Sequence, residues 1–519
     1  MIGADVKLAS CLASLGFIVG PAVARADQPA PYVPPEFVTV APTVPGDQAD
    51  LWRLELDDAL QLAVRQNLGI VLVRESLVIA RRNVDLARGE LEPVLTASYR
   101  HSDVDSPPVS STDGGDFTSV DDALSLGLQE KFATGLQVAL GADAIRTRSS
   151  SGSAVERGAP LVRSSASLSL RQPLLRGFST DLAIPRLTIL RARLASARGR
   201  DSLAIAMADV VERTETAYWD AVAALYRHDL AVGSAKRAAD QLELTRKQIA
   251  AGLLPPSDLI SAESTLAQRE LQQVQAELAV TQSWDALRGV LNLPRAQWSR
   301  PILPVEPPRF EAGTLTAEQA LSVALANRPE PDQLDLDVQD ASLAVRKADN
   351  DRLPQIDLGL TGALVGQGST YRGAFGQLGR AEAPGWQVMV DFSWTRLQRA
   401  GVAAAEIQRS QRTIAIARRE QLIQTIWAEV RSALRNQESA ARQVAAAARF
   451  RELAERSLEL EQRKFLNGTS SNFFVAQRQE ELAVAQLAEL DALLDHTKAA
   501  TTLSHATGVL LTERGITID

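Results

Sequence analysis

From residue 386 to residue 394 the chain alternates between two kinds of side chain. Trp386, Val388, Val390, Phe392 and Trp394 fall on one face, and Gln387, Met389, Asp391 and Ser393 on the other. Ile356, Leu358, Leu360 and Leu364 oppose Asp357, Gly359 and Thr361 in the same way, as Ala166, Leu168 and Leu170 oppose Ser167, Ser169 and Arg171. Such a period of two predicts strands with one face in lipid and the other in water. Lipid leaves no backbone polar group a partner outside the sheet, so these strands must close into a barrel. Trp386 and Trp394 stand at the two ends of their strand, where aromatic rings suit the two membrane interfaces. A soluble sandwich with one wet face is the rival for the strands alone, and the long helices beside them weigh against it.

A further alternating region, 121–144, holds Leu124, Leu126 and Leu128, then Leu136, Val138 and Leu140, around Thr134-Gly135. It reads either as two extra barrel strands or as a hairpin projecting beyond the barrel. The second half of the chain has no counterpart to it, which favours the projection.

Elsewhere the pattern is helical. Helices are expected over Leu56–Leu91 and Ala317–Leu353, ended by Pro93 and Pro354. Much longer ones follow, the first from about Pro185 to Ala250, reaching on the order of 100 Å. Leu203, Met207, Val210, Thr214, Ala217, Ala221 and Ala224 recur at alternating spacings of four and three, as do Ile423, Ile426, Val430, Ala433, Gln437, Ala440, Val444 and Ala447. An average of 3.5 is coiled-coil packing. Gly252-Leu-Leu-Pro-Pro-Ser-Asp258 and Asn467-Gly-Thr-Ser-Ser-Asn472 each read as a helix stop and a new start, with Ser257 or Asp258 able to cap the returning helix. Returning helices are expected over Asp258–Leu291 and Phe474–Leu510.

The two halves repeat each other. Ala59, Ala63, Ala80, Val84, Ala87 and Pro93 meet Ala320, Ala324, Ala341, Val345, Ala348 and Pro354 at one constant offset. Gly252 and Asp258 meet Gly468 and Phe474 at a smaller one, so the first half holds an insertion. The organisation that follows is a first repeat over 51–300, a linker over 301–314 containing a proline-rich strip, a second repeat over 315–511 and a tail over 512–519.

Ahead of the repeats, Lys7, the apolar run Leu8–Val19 and Ala22, Ala24 and Ala26 have the order of a secretory signal, assigned to 1–26. Residues 27–50 hold six prolines and read as an extended leader. The only cysteine, Cys11, sits within the signal. Leu8-Ala9-Ser10-Cys11 resembles a lipid-attachment box, but the apolar stretch follows the cysteine instead of preceding it, so lipidation stays an open alternative. No other apolar run reaches the roughly 18 residues of a membrane helix.

Aromatic residues make up only 5% of the chain and the net charge is −8, which argues for long helices over thick cores and against a nucleic-acid partner. No phosphate loop appears, and His101, His228, His496 and His505 are scattered, so no metal or cofactor is expected. The carboxylates lie mostly among helix-surface charges. No catalytic constellation is visible and no enzyme activity is expected.

Three motifs carry a resemblance. Asn467-Gly-Thr-Ser-Ser-Asn-Phe-Phe-Val-Ala-Gln477 resembles the second helix-turn of the outer-membrane efflux (TolC-like) family. Gln172-Pro-Leu-Leu-Arg-Gly177 resembles its strand-to-helix junction, and Ala324-Leu-Ala-Asn-Arg-Pro329 the opening of its repeat. The resemblance covers essentially the whole mature chain. It implies a mainly α fold with transmembrane β structure: a homotrimer sharing one twelve-stranded β-barrel, continued by a twelve-helix α-barrel in the periplasm. It further implies a passive exit duct served by a periplasmic adaptor and an inner-membrane transporter, seated in outer-membrane lipid. Carried onto this sequence, the adaptor-docking tips are Gly252, Leu253, Gly468 and Thr469. The periplasmic gate falls on Asp258, Phe474 and Gln477, Asp258 having an N-cap as its alternative role. Phe474 stands where the family often has Asp, so it either makes a hydrophobic or amide constriction in place of an acidic ring or packs between helices. The rival is a secreted coiled-coil scaffold or adhesin without a pore. The cargo is not legible.

Overall fold

The computed structural model describes residues 51–106, 117–151, 160–252, 254–308 and 315–518, with Pro45, Phe310 and Gly313. The signal over 1–26 and the leader over 27–50 lie outside the described residues, Pro45 aside.

The first half runs β1 (Trp52–Leu54), α1 (Leu56–Gln66), α2 (Leu68–Gly89), then β2 (Val94–Ser106), β3 (Phe117–Lys131), β4 (Gln137–Ser151) and β5 (Leu161–Pro173). The hairpin α3 (Leu187–Ala250) and α4 (Ser257–Leu291) closes it. The second half runs β6 (Ile302–Pro304), α5 (Ala317–Asn327), α6 (Pro329–Asp351), β7 (Gln355–Gly368), α7 (Tyr371–Gly379) and β8 (Pro384–Ser393). It ends on the hairpin α8 (Arg399–Leu466) and α9 (Asn472–Ala506) and the short α10 (Leu510–Glu513). The proline-rich strip contributes β6, which pairs in parallel with β1 and fastens the two repeats together.

Two expectations are corrected. The helices foreseen as continuous over Leu56–Leu91 and Ala317–Leu353 are each broken in two, at the equivalent residues Asn67 and Arg328. Both adopt extended backbone, with ψ of 122° and 134°. Pro329 forces this on the residue before it. Asn67 achieves it by capping: its side chain accepts from the Gly69 N–H at 2.8 Å and donates to the Val290 carbonyl at 3.0 Å.

The second correction concerns the 121–144 region, read as a projection. Both of its strands lie inside a single antiparallel sheet ordered β2-β3-β4-β5-β7-β8. β3 is paired over Phe117–Gln129 with β2 on one side and along its whole length with β4 on the other, and β4 pairs with β5 over Gln137–Thr147. The sheet therefore has six strands among the described residues. The insertion noticed in the repeat is this hairpin; the second half has α7 in its place.

Below the sheet, α2, α3, α6 and α8 pack side by side; further down the set is α4, α3, α9 and α8. The seams foreseen on the long helices are the packed ones. Leu203, Met207, Val210, Thr214, Ala217, Ala221 and Ala224 are all buried, and so are Ile426, Val430, Ala433, Ala440 and Val444. The main core gathers where α1, β1, β6 and α10 wrap α3 and α4 midway along the bundle. There Tyr218, fully buried, donates to the Leu54 carbonyl at 3.1 Å.

Candidate functional site

The sheet has two faces of opposite chemistry. Cross-strand register puts Leu95, Leu128, Leu140, Leu168, Gly362 and Trp386 in successive contact along one face, each beside its partner or a near neighbour. Leu124, Leu126, Val388, Val390 and Phe392 belong to the same face, and all are exposed, Trp386 by 81%. A shallow depression of about 560 Å³ in this face is lined largely by its leucines, alanines and glycines. The opposite face carries Thr96, Ser98, Arg100, Ser125, Asp143, Ser165, Ser167, Arg171, Asp357 and Gln387. One pair of its charges is matched: Arg171 donates to Asp357 at 2.6 Å, and Gln355 supports the same carboxylate at 2.8 Å.

The apolar band stops where charges enter the apolar face. At that height Asp122 accepts from Tyr99 at 2.9 Å and lies 2.8 Å from His101 Nδ1. On the neighbouring strands α7 lies against β7 and β5, and Ala374 backs so closely on Gly366 that a Cβ there would meet the Ala374 carbonyl oxygen. Strands of 10 to 15 residues meet or exceed the roughly 9–11 needed to cross a bilayer. Trp394, just past β8, is exposed at the inner end, and Trp386 stands near the outer end.

The other end of the molecule is formed by the hairpin turns. At 1.5 Å per residue, α3 with 64 residues and α8 with 68 each put their turn about 100 Å from the sheet. Gly252 and Gly468 have φ of +75° and +71°, the left-handed conformation that stops a helix, and both are exposed. The Thr469 N–H and hydroxyl both donate to the Lys464 carbonyl, at 2.9 and 3.0 Å, fixing the second turn. Leu253 lies outside the described residues. Asp258, half-buried, occupies the first turn of α4, while Phe474 and Gln477 are exposed on the first turns of α9. Neither Ser257 nor Asp258 caps α4 with its side chain: Pro256 precedes the helix. Phe474 packs edge-on against Phe473, with ring centres 5.6 Å apart. Farther from the tip an ion pair between Arg269 and Glu480 joins the two hairpins.

Two further residues position these ends: Asn350, which no sequence motif marked, and Arg328, which lies inside the Ala324–Pro329 motif. Asn350, buried, accepts from the Gly177 N–H at 2.8 Å and donates to the Leu175 and Phe178 carbonyls at 3.1 and 2.9 Å. It thereby holds the bend where β5 turns into α3. Arg328 reaches Glu330 at 2.6 Å, Glu429 at 2.7 Å and the Ala506 carbonyl at 3.4 Å, tying the α5–α6 break to α8 and α9. Burial pushes the Glu330 carboxyl up, and the Arg328 guanidinium more than offsets this, holding it below the usual carboxylate range. Among the described residues no cluster of metal-ligating side chains occurs.

A model of the Outer membrane efflux protein family matches residues 320–509, from the first turn of α5 to the end of α9. This segment is an outer membrane efflux protein domain. The first half repeats the same order of elements ahead of it. No curated protein matches the chain by sequence. Among solved structures, a membrane protein from Pseudomonas aeruginosa is similar at 17% identity, covering 94% of this chain and 96% of that one, with a TM-score of 0.65. The open state of the Neisseria gonorrhoeae MtrE outer membrane channel is similar at 17% identity over 91% of this chain and 96% of that one, with a TM-score of 0.64. The Campylobacter jejuni CmeC outer membrane channel follows at 15% identity over 88% and 86%, with a TM-score of 0.63. At these identities the likeness is one of fold, and it extends along nearly the whole efflux-protein architecture.

Proposed function

We propose that the chain is the passive outer-membrane exit duct of a tripartite efflux or type I secretion system. One observation carries this: a sheet whose one face is an unbroken exposed apolar band, and whose other face is wet, feeds directly into helices about 100 Å long. Among the described residues the sheet is open, with β2 and β8 as unpaired edges. In lipid those edges must find strands on another copy. Three copies would close the sheets into a barrel in the outer membrane and the long helices into a twelve-helix tunnel through the periplasm. The pore-free adhesin gives no reason for an apolar band of membrane thickness and is not favoured.

The tips at Gly252, Leu253, Gly468 and Thr469 then face the periplasmic adaptor, behind which stands an inner-membrane transporter that supplies the energy. Asp258, Phe474 and Gln477 line or brace the entrance, with Phe474 giving it a hydrophobic rather than an acidic character. Extraction decides the matter. The protein is expected in the outer-membrane fraction, to require detergent, and to run as a trimer by mass. A monomer recovered without detergent sinks the duct.

A further inference from the structure

We infer that the β3–β4 hairpin is part of the membrane wall, so that three copies close an eighteen-stranded barrel instead of a twelve-stranded one. The inference rests on the trimeric duct proposed above and adds to it the width of the exit.

Three independent observations carry it. The hairpin continues the two-faced chemistry of the sheet without interruption. Leu124, Leu126, Leu128 and Leu140 extend the apolar band, while Ser125, Gly127, Gly141 and Asp143 extend the wet face. A hairpin standing in water would have no use for a leucine row in register with the lipid-facing residues of β2 and β5. Secondly, the turn joining β3 to β4 sits at the inner end of the sheet. Gln172 donates to the Thr134 carbonyl at 3.3 Å, and Gly135 lies against Pro173 and Pro185, where β5 hands over to α3. The hairpin therefore spans the same height as its neighbours.

The third observation is one of fit. Six strands about 4.8 Å apart and tilted by about 40° occupy an arc of roughly 38 Å. Four helices packed about 9–10 Å apart, as lie beneath the sheet, occupy nearly the same arc. Four strands would cover only about 25 Å of it. The barrel thus continues the tunnel at about its own width, roughly 1.5-fold wider than a twelve-stranded ring, because diameter grows with strand number. Selection by size then falls to the tip and not to the exit.

Single-particle cryo-microscopy of the full chain, extracted in detergent and placed in lipid nanodiscs, tests this directly. A ring of eighteen strands containing residues 117–151 is expected. A trimeric ring of twelve strands with the hairpin outside overturns the inference and leaves the duct standing, whereas separate protomers overturn both. Paired cysteines give a second measurement, since Cys11 is the only native one. Ala142→Cys with Ala166→Cys, which lie directly opposite on β4 and β5, should form a disulfide in the membrane-embedded protein. Ala97→Cys with Ala166→Cys, on β2 and β5, should not; the reverse result counts against the wider ring.

Discussion

At the scale of single residues, the same side-chain type means different things in different places. Leu126 is exposed on the apolar face midway along β3, where the proposed bilayer replaces water. Leu126→Arg should therefore cost about 2–4 kcal/mol per copy, which would be negligible for an exposed leucine in a soluble protein. Heat resistance of the extracted assembly measures it, and an unchanged midpoint would mean that the leucine faces water. Arg328 makes the opposite point, as a charge held in place by two carboxylates and a carbonyl. Arg328→Ala should cost about 3 kcal/mol, because it leaves Glu330 half-buried without its cation. The pH dependence should weaken as well. With Arg328 present, Glu330 sits below its ordinary value, so its contribution is present above that value and is lost as pH falls through the depressed one. Without Arg328, burial is opposed only by the backbone hydrogen bond at Glu330 and by His505, so less stability should be lost at this site as pH falls through the carboxylate range. Melting curves across that range distinguish the two slopes.

At the scale of elements, the long helices are held by small-residue seams and by charges between neighbours. Arg191 and Arg198 of α3 pair with Asp340 and Asp337 of α6 at 2.8 and 2.5 Å, and Arg227 pairs with Asp491 of α9 at 2.6 Å. Such partly exposed pairs contribute at most about 1 kcal/mol each and mainly set which helices lie side by side. The helical turns are different, because they are exposed and structurally simple. Around Gly252 and Gly468 a Cβ would meet nothing within 4 Å, so the glycines serve the left-handed backbone and not close packing. Replacement by Ala should cost about 1–2 kcal/mol of local strain and leave the barrel intact. Replacement by Arg adds bulk and charge where the adaptor is proposed to sit, and should abolish export while the trimer still assembles. Export that persists in both Gly252→Arg and Gly468→Arg would remove the docking assignment.

For the whole molecule, a wide exit joined to a narrow tip predicts where resistance to flow resides. Single-channel conductance in planar bilayers should be small and set by the tip. Phe474→Asp should raise both conductance and preference for cations, by adding a charge to each copy where an aromatic ring now stands. Arg171→Gln in the barrel wall should change conductance little, since a lumen set by eighteen strands is already the wider passage. The opposite ranking would place the constriction in the membrane.

Much of this protein was legible from periodicity. Alternation by two marked the strands bearing Trp386 and Leu168, and alternating steps of four and three marked the seams from Leu203 to Ala224 and from Ile426 to Val444. Local chemistry is enough for these, since a strand or helix with two unlike neighbourhoods must write both into its sequence. Gly252 and Gly468 likewise announced their turns through backbone freedom. Tertiary structure alone decided the rest. Whether 121–144 joins the sheet depends on hydrogen bonds to β2 and β5, strands whose own alternation is satisfied either way. Pro329 already encodes the break at Arg328, whereas the break at Asn67 and the anchoring roles of Asn350 and Arg328 depend on partners that lie far away in the chain, which no local pattern encodes.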